Sequence, residues 1–213
     1  MTESIIDILI TIVGVGMIVL LWVIFYDSNR FVIRKHKVTD RRIKKPCRAV
    51  LLTDLHNKCY GKNNEKLLAS IREQNPDFIL IAGDLVTARP KGDLRPALQL
   101  LGVLAKEYPV YYGNGNHEHR LKLYPKVYGD MAQRYEKALQ EIGIAPLVNC
   151  HVNLPEYGIS IYGAEIGESF YRHFQIADMQ PRYLPEILGQ ASRDSYTVLL
   201  AHNPDYFPQY AAW

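Results

Sequence analysis

Hydrophobic positions along the chain form two kinds of pattern. Residues 8–26 are an apolar run without a charged side chain. From residue 48 onwards, short apolar runs alternate with stretches whose apolar positions recur every three or four residues, which predicts alternating strands and helices. The predicted strands are residues 49–53, 78–82, 110–112, 145–149, 151–154, 159–163 and 196–201, and the predicted helices are residues 63–74, 94–106, 128–142 and 185–192. Apolar strands joined by helices indicate an α/β fold with a mainly parallel sheet covered on both faces, whereas residues 145–149, 151–154 and 159–163 are spaced like an antiparallel meander.

Polar residues follow four of these apolar runs directly. In chain order they are Asp54 with His56, Gly83 with Asp84, the stretch from Gly113 to His117, and His202 with Asn203. The ligand crevice of an open α/β sheet lies beyond the carboxyl ends of its strands, so we expect these residues to meet at one rim. Each motif alone also suits a surface turn or a helix cap. Their repeated position at strand ends is what favours a site.

The side chains of this rim offer carboxylate, imidazole and amide groups and no thiolate. That set suits Mn, Fe or Zn in a mixed nitrogen and oxygen shell rather than Ca in an all-oxygen cage. One carboxylate can bridge two ions about 3.5–4 Å apart, and Asp84, at the end of a central strand, is the natural bridge. A nearby histidine that does not bind metal would act as a general acid or would stabilise charge.

Composition narrows the class of protein. A chain of 213 residues suits one domain of ordinary size, and a net charge of +3 gives no reason to expect a nucleic-acid partner. The three cysteines contain no C-x-x-C pair, which disfavours a disulfide framework or a cysteine zinc site and fits a reducing compartment.

The apolar run at residues 8–26 has the length of a membrane-spanning helix, because a helix of this length rises about 28 Å. Trp22 and Tyr26 lie at its end, where interfacial aromatic residues are favoured. A cleaved signal peptide and a buried core helix are the alternatives. A signal peptide begins with basic residues, whereas the residues before this run include Glu3 and Asp7. A buried core helix would show a polar stripe, and this run shows none.

Charge on the two sides of this run predicts its orientation. Basic residues crowd the stretch between Arg30 and Arg48, which contains Asp40 as its single acidic residue. Basic residues stay on the cytoplasmic side, so we expect a single-pass protein of the inner (cytoplasmic) membrane with its catalytic domain in the cytoplasm. The same residues can contact anionic membrane lipid. The expected domains are an anchor at residues 1–29, a basic juxtamembrane linker at 30–47 and a catalytic domain at 48–213.

The ordered motifs Asp54-x-His56, Gly83-Asp84, Gly115-Asn116-His117-Glu118 and His202 resemble those of the calcineurin-like metallophosphoesterases. The resemblance runs from about Ala49 to the end of the chain. With its anchor, the chain is similar to membrane-bound bacterial members, some of which cleave phosphodiester or pyrophosphate bonds in lipid precursors such as UDP-diacylglucosamine. The resemblance implies a four-layer α/β/β/α sandwich, metallophosphatase-like, behind an N-terminal transmembrane helix.

The resemblance also implies roles for single residues and a cofactor of two divalent metal ions. Asp54 and His56 would bind the first ion, Asp84 would bridge, and Asn116 and His202 would bind the second. His117 would contact the phosphate and protonate the leaving group. Glu118 would support the ligands without binding metal.

One motif of the resemblance is missing, since no G-H-x-H occurs in the sequence. We therefore expect a domain that is incomplete at its C-terminus, with a degenerate member as the alternative. The expected function is a membrane-anchored two-metal phosphoesterase acting on a phosphorylated small-molecule or lipid substrate. The alternatives are a protein or small-molecule phosphomonoesterase and a non-catalytic metal- or phosphate-binding module. Residues 165–183 could form a lid over an apolar group or an ordinary connection.

Overall fold

The computed structural model describes residues 2–172 and 177–213, with side chains from residue 6 onwards. Two of the aromatic residues of the suggested lid, His173 and Phe174, lie outside the described residues. The chain forms two compact units, residues 1–38 and 39–213. Residues 39–47, expected to be linker, belong to the second unit, where Lys44 N donates to Tyr157 O at 2.9 Å. The domain boundaries at residues 29 and 47 stay predictions.

The first unit contains one long helix, α1 (Thr2–Ser28). Its stretch Ile6–Ser28 has a mean hydropathy of 2.9, and none of it is buried. By length and composition this helix could cross a membrane, and its exposure does not suit the alternative of a buried core helix.

The second unit contains two three-stranded sheets instead of the single, mainly parallel sheet that the apolar runs predicted. In the first sheet β1 (Ala49–Leu52), β2 (Phe78–Ala82) and β3 (Val110–Gly113) are parallel and in chain order. In the second sheet β4 (Cys150–Leu154) pairs antiparallel with β5 (Ile159–Ala164), and β6 (Tyr196–Ala201) pairs parallel with β5. The parallel pairing expected for strands joined by helices is found in β1 to β3, and the predicted antiparallel meander is found only in its β4–β5 part, whose tight turn is closed by Gly158 N donating to Leu154 O.

The two sheets pack face to face. Phe78 and Leu80 of β2 form one buried cluster with Ile159 and Ile161 of β5 and with Leu200 of β6. Ile79 and Ile81 point to the opposite face of the first sheet, because side chains alternate along a strand, and both are fully buried.

Helices cover the outer faces of both sheets. On the first sheet, Tyr112 of β3 reaches Tyr135 of α6, with their hydroxyls 2.9 Å apart. On the second sheet, Tyr162 of β5 packs in one cluster with Leu184 and Leu188 of α7. This arrangement confirms the expected α/β/β/α sandwich. The helices of the second unit are α2 (Glu65–Glu73), α3 (Arg95–Glu107), α4 (Asn116–Leu123), α5 (Pro125–Tyr128), α6 (Met131–Ile142), α7 (Tyr183–Leu188) and α8 (Phe207–Ala212).

Several predicted elements differ from the observed ones for local reasons. Residues 145–149 form no strand; Leu147 N donates instead to Tyr112 O at the end of the first sheet. The helix predicted at 128–142 begins at Met131, because Gly129 has a φ of +62° and separates it from α5. Likewise, the helix predicted at 185–192 ends at Leu188, before Gly189 with a φ of +72°.

Candidate metal centre

The loops that follow β1 and β2 are fixed to each other by backbone hydrogen bonds. Asp54 N donates to Gly83 O at 3.2 Å, and His56 N donates to Asp84 O at 2.9 Å. Asp54, His56 and Asp84 all have left-handed backbone conformations, with φ of 56°, 48° and 53°. Such conformations are strained for residues with a side chain and cluster at functional sites. The sheet therefore holds both carboxylates in fixed positions.

Two glycines allow the loops after β2 and β3 to touch. A Cβ on Gly83, whose φ is +88°, would lie 2.3 Å from Gly115 N, and a Cβ on Gly115 would lie 2.2 Å from Asp84 Oδ1. Both distances are far below van der Waals contact. Side chains at these positions would push Asp84 away from the start of α4.

Asp84 lies at the centre of the site and is 2% exposed. Its Oδ1 accepts a hydrogen bond from His117 N at 2.9 Å. Its Oδ2 faces the Nε2 atoms of three histidines, at 3.1 Å for His202 and at 3.8 Å for both His56 and His117. Asp54 Oδ1 lies 3.7 Å from Nε2 of both His56 and His202.

These separations fit a shared divalent ion. Two ligand atoms 2.0–2.2 Å from one ion and about 90–120° apart lie about 2.8–3.8 Å from each other. The ligand atoms form two groups, one of His56, Asp84 and His117 and one of Asp54, Asp84 and His202, each within 4.8 Å. Asp84 is common to both groups, as a bridging carboxylate would be. That Asp54 and His56 share an ion stays a prediction, since Asp54 Oδ1 lies equally far, 3.7 Å, from Nε2 of His56 and of His202.

The partner of Nδ1 distinguishes two of the histidines. In His202, Nδ1 lies 2.9 Å from Ala82 O, which can only accept, so Nδ1 carries a proton and Nε2 is the atom that faces the carboxylates and could bind a metal. In His117, Nδ1 accepts a hydrogen bond from Ala88 N at 2.7 Å, so neutral His117 carries its proton on Nε2. His202 is therefore arranged as a metal ligand and His117 as a hydrogen-bond donor.

Burial and pairing shift the acidities of these groups. Burial opposes ionisation of Asp84, but hydrogen bonds from His202 and from His117 N outweigh it and hold the pKa of Asp84 below its usual value. Burial also disfavours the charged form of His202, yet its bond to Asp84 raises the pKa of His202 to about 9. Burial lowers the pKa of His117. The His202 proton thus occupies a position that a cation would take, whereas His117 stays neutral.

Glu118 links the loop after β2 to the loop after β3, and it is 2% exposed. Its Oε2 accepts from Asp84 N and Gly115 N, both at 2.9 Å. Its Oε1 accepts from Leu85 N at 2.9 Å, from Val86 N at 3.3 Å and from the Tyr112 hydroxyl at 2.8 Å. The contacts agree with the supporting role predicted for it, since Glu118 binds the backbone on which Asp84 and Asn116 stand.

The structure brings five of the predicted site residues into one cluster: Asp54, His56, Asp84, His117 and His202. Asn116 is the first residue of α4 and is half-buried, and within the described residues its amide makes no hydrogen bond. The role of each ligand stays a prediction.

Sequence reasoning gave no role to three groups in or beside this cluster: the Thr53 hydroxyl, the Glu165 carboxylate and the Ala88 N–H. The Thr53 hydroxyl donates to Asp54 Oδ2 at 2.6 Å, and Asn114 Nδ2 donates to Glu165 Oε2 at 2.6 Å. Glu165 directly follows β5, so the strand-end rule applied to that strand would have found it. The donor at Ala88 is a backbone N–H, which any residue except proline would supply, so no sequence signal identifies it.

Comparison with known proteins agrees with this site. The profile of the family described as calcineurin-like phosphoesterase matches residues 47–213. An uncharacterized metallophosphoesterase of Campylobacter jejuni is 37% identical over 82 residues, which are 36% of this chain and 21% of that protein. A transmembrane protein with metallophosphoesterase domain of Danio rerio is 26% identical over 168 residues, 74% of this chain and 35% of that protein. The matched regions thus span well under half of either relative. The family match covers most of the sequence, and the chain belongs to the calcineurin-like phosphoesterase family.

Proposed function

We propose that this chain is a membrane-anchored, two-metal phosphoesterase that hydrolyses phosphodiester or pyrophosphate bonds of a lipid-linked or nucleotide substrate. One observation carries the proposal: the buried carboxylate of Asp84 is shared by two groups of potential ligands, one containing His56 and the other Asp54 and His202. A bridging carboxylate between two nitrogen and oxygen sets is what a pair of Mn, Fe or Zn ions requires.

In this proposal Asp54, His56, Asp84 and His202 hold the ions, with Asn116 as a further ligand from the start of α4. When bound, the ions supply a phosphate clamp and a water of lowered pKa. Asp84 is kept ionised by its hydrogen bonds, and His202 is oriented through Ala82 O, so the chain prepares both ligands before any ion enters.

His117 is the proposed contact to the substrate phosphate. Its Nε2–H points towards Asp84 Oδ2, on the side where the ions would be held. The Ala88 N–H and burial both oppose a second proton on the ring. Donation of a hydrogen bond from Nε2 to a phosphoryl oxygen is therefore the role that its surroundings favour, and transfer of the proton to the leaving group remains the alternative.

The location is also part of the proposal. Helix α1 is exposed and apolar over Ile6–Ser28, and the basic residues follow it in the chain. We place α1 across the inner membrane and the catalytic domain in the cytoplasm, where the basic segment contacts anionic lipid.

The test of the two-metal function is Asp84→Asn in the full chain, purified in mild detergent. Asp194→Asn is the matched control, because Asp194 is exposed and remote in the fold from the cluster's hydrogen bonds. We expect Asp84→Asn to lose bound Mn and to hydrolyse an aryl phosphodiester at least about 10²-fold more slowly, since even outer-shell changes cost 10–100-fold. The control should keep both properties. Retention of two ions per chain by Asp84→Asn would contradict the bridging role.

A further inference from the structure

The end of α4 and the helix α5 present a cluster of exposed apolar side chains. We name residues 120–127 the α4–α5 corner. Within it Leu123 is 43% exposed, Tyr124 37% and Val127 52%. The turn is fixed, because Val127 N donates to Tyr124 O at 2.9 Å. Exposed apolar residues are usually scattered singly, so three of them on one rigid turn indicate a contact surface.

The charged residues within the α4–α5 corner are all basic, since residues 120–127 contain Arg120, Lys122 and Lys126 and no acidic residue. Among the described residues, no ion pair includes Arg120, Lys126 or Arg172. Arg120 and Arg172 both lie close enough to Tyr124 to act on its hydroxyl, which donates to Glu168. Lys122 is the exception, since Glu136 and Glu165 lie within 4 Å of its ammonium group.

This combination of charge and polarity matches an anionic membrane surface. Basic side chains are attracted to anionic head groups, apolar side chains enter the boundary with the acyl chains, and tyrosine favours the interface between them. An acidic protein surface would use the charges but would give Leu123 and Val127 no comparable environment.

The anchor makes such a contact easy to reach. Ten residues, 29–38, separate the end of α1 at Ser28 from the second compact unit, which begins at Thr39. Ten residues span at most about 36 Å when fully extended. If α1 crosses the bilayer, the domain stays within this reach of the surface, at an effective concentration on the order of millimolar.

We infer that the α4–α5 corner docks on the anionic surface of the membrane and holds the rim of the metal centre at the level of the head groups. Leu123 follows His117 by six residues in the same helix, a rise of about 9 Å, so docking brings the site to the surface. The inference rests on the proposed membrane-anchored function. Docking would give the chain a second contact with the membrane besides α1, and it favours a substrate whose phosphate lies in a lipid head group.

The test uses the full chain with Cys47→Ala, Cys59→Ser and Cys150→Ser, reconstituted in vesicles. A single cysteine is then introduced as Val127→Cys and labelled with a fluorophore that lipids spin-labelled near the head group can quench. The matched control is Phe207→Cys on α8, because Phe207 is an apolar residue that is 69% exposed outside the α4–α5 corner. Flotation of the vesicles first measures whether the chain is anchored.

We expect strong quenching at residue 127 in vesicles containing phosphatidylglycerol, and little quenching at residue 207. Arg120→Gln with Lys126→Gln should lower the ratio of docked to undocked domain about 25-fold, since each basic residue contributes about fivefold near an anionic surface. An unchanged melting temperature would show that this double variant still folds.

Four results would overturn the inference. If the chain floats but residue 127 is not quenched, the anchor stands, the docking is wrong, and an acidic protein becomes the partner that the corner fits. Equal quenching at residues 127 and 207, or unchanged quenching in pure phosphatidylcholine, excludes a specific anionic contact. If the chain does not float, the anchored function fails together with the docking.

Discussion

Replacing Glu118 by glutamine should loosen the metal centre without removing a metal ligand. The carboxylate accepts hydrogen bonds from the backbone on both sides of the site, including Asp84 N and Gly115 N on Oε2 and Leu85 N on Oε1. Glutamine has the same shape but replaces one oxygen by an NH₂ group. Whichever oxygen is replaced, at least two N–H donors then face another donor.

The size of the effect follows from these contacts. A hydrogen bond to a charged group is worth about 1.5–3 kcal/mol, so the loss of two amounts to about 3–6 kcal/mol. Removing the buried charge offsets part of this loss of stability, because a buried carboxylate carries a desolvation penalty that glutamine does not. We therefore expect Glu118→Gln to lower the free energy of unfolding by about 3 kcal/mol, a large share of the 5–15 kcal/mol that is typical of a domain.

Urea unfolding of the full chain in mild detergent, followed by circular dichroism, measures this change. Titration with Mn measures the second effect, a loss of metal affinity of about 10–100-fold, because the backbone that carries Asp84 and Asn116 is no longer tied. The matched control is Glu141→Gln. The Glu141 side chain is 68% exposed and lies 4.0 Å from Lys137, so its replacement should change stability by less than about 0.5 kcal/mol.

Tyr112→Phe gives an intermediate case, because it removes one of the five donors to Glu118 and should lower stability by about 2 kcal/mol. If Glu118→Gln stays within about 1 kcal/mol of the original chain and binds Mn equally well, the reasoning is refuted. Glu118 would then be only one of several redundant links between the two loops.

Two further predictions concern the site. Gly115→Ala should reduce Mn content and aryl phosphodiesterase activity at least about tenfold, because its Cβ would lie 2.2 Å from Asp84 Oδ1. The control is Gly102→Ala in α3, where a Cβ would meet nothing within 4 Å, and it should stabilise the domain by up to about 1 kcal/mol. Similar losses of Mn content and activity in both variants would contradict the argument that Gly115 is needed for close approach. His117→Ala should keep its metal and lose about 10²–10³-fold in kcat, to the same extent for aryl and alkyl esters. A loss confined to alkyl esters, which have poor leaving groups, would show that His117 transfers its proton.

The centre of the site could be predicted from sequence because its side chains stand at the ends of apolar runs. Asp54 and Asp84 follow neighbouring parallel strands of the first sheet, whose carboxyl ends lie at one edge. His202 follows β6 of the second sheet and reaches the same edge because the two sheets pack face to face. No spacing in the chain shows how these ligands would divide between two ions. In the structure Asp54 Oδ1 lies 3.7 Å from Nε2 of both His56 and His202, so these distances do not divide them either.

The secondary structure was predicted less well where a helix lacks apolar residues at every third or fourth position. Helix α4 was not predicted, because its sequence NHEHRLKL contains one buried apolar residue, Leu121. Glu118 takes the place of the missing apolar contact through its five hydrogen bonds. The apolar runs alone did not show that the strands divide between two sheets, which the resemblance implied, because short apolar runs show that strands exist but not which strands pair.

The three histidines around Asp84 show how the backbone gives similar side chains different roles. His56 and His117 lie at the same 3.8 Å from Asp84 Oδ2, so distance to the bridge does not separate a ligand from a donor. The hydrogen-bond partner of Nδ1 does separate two of the histidines. Ala82 O accepts from Nδ1 of His202, which leaves Nε2 for a metal, whereas Ala88 N donates to Nδ1 of His117, which keeps the His117 proton on Nε2. Ala88 stands in the loop that carries Asp84, and Ala82 ends the strand before it. In the proposed site, the strand and loop that supply the bridging carboxylate would therefore also distinguish the histidine that binds metal from the one that contacts the substrate.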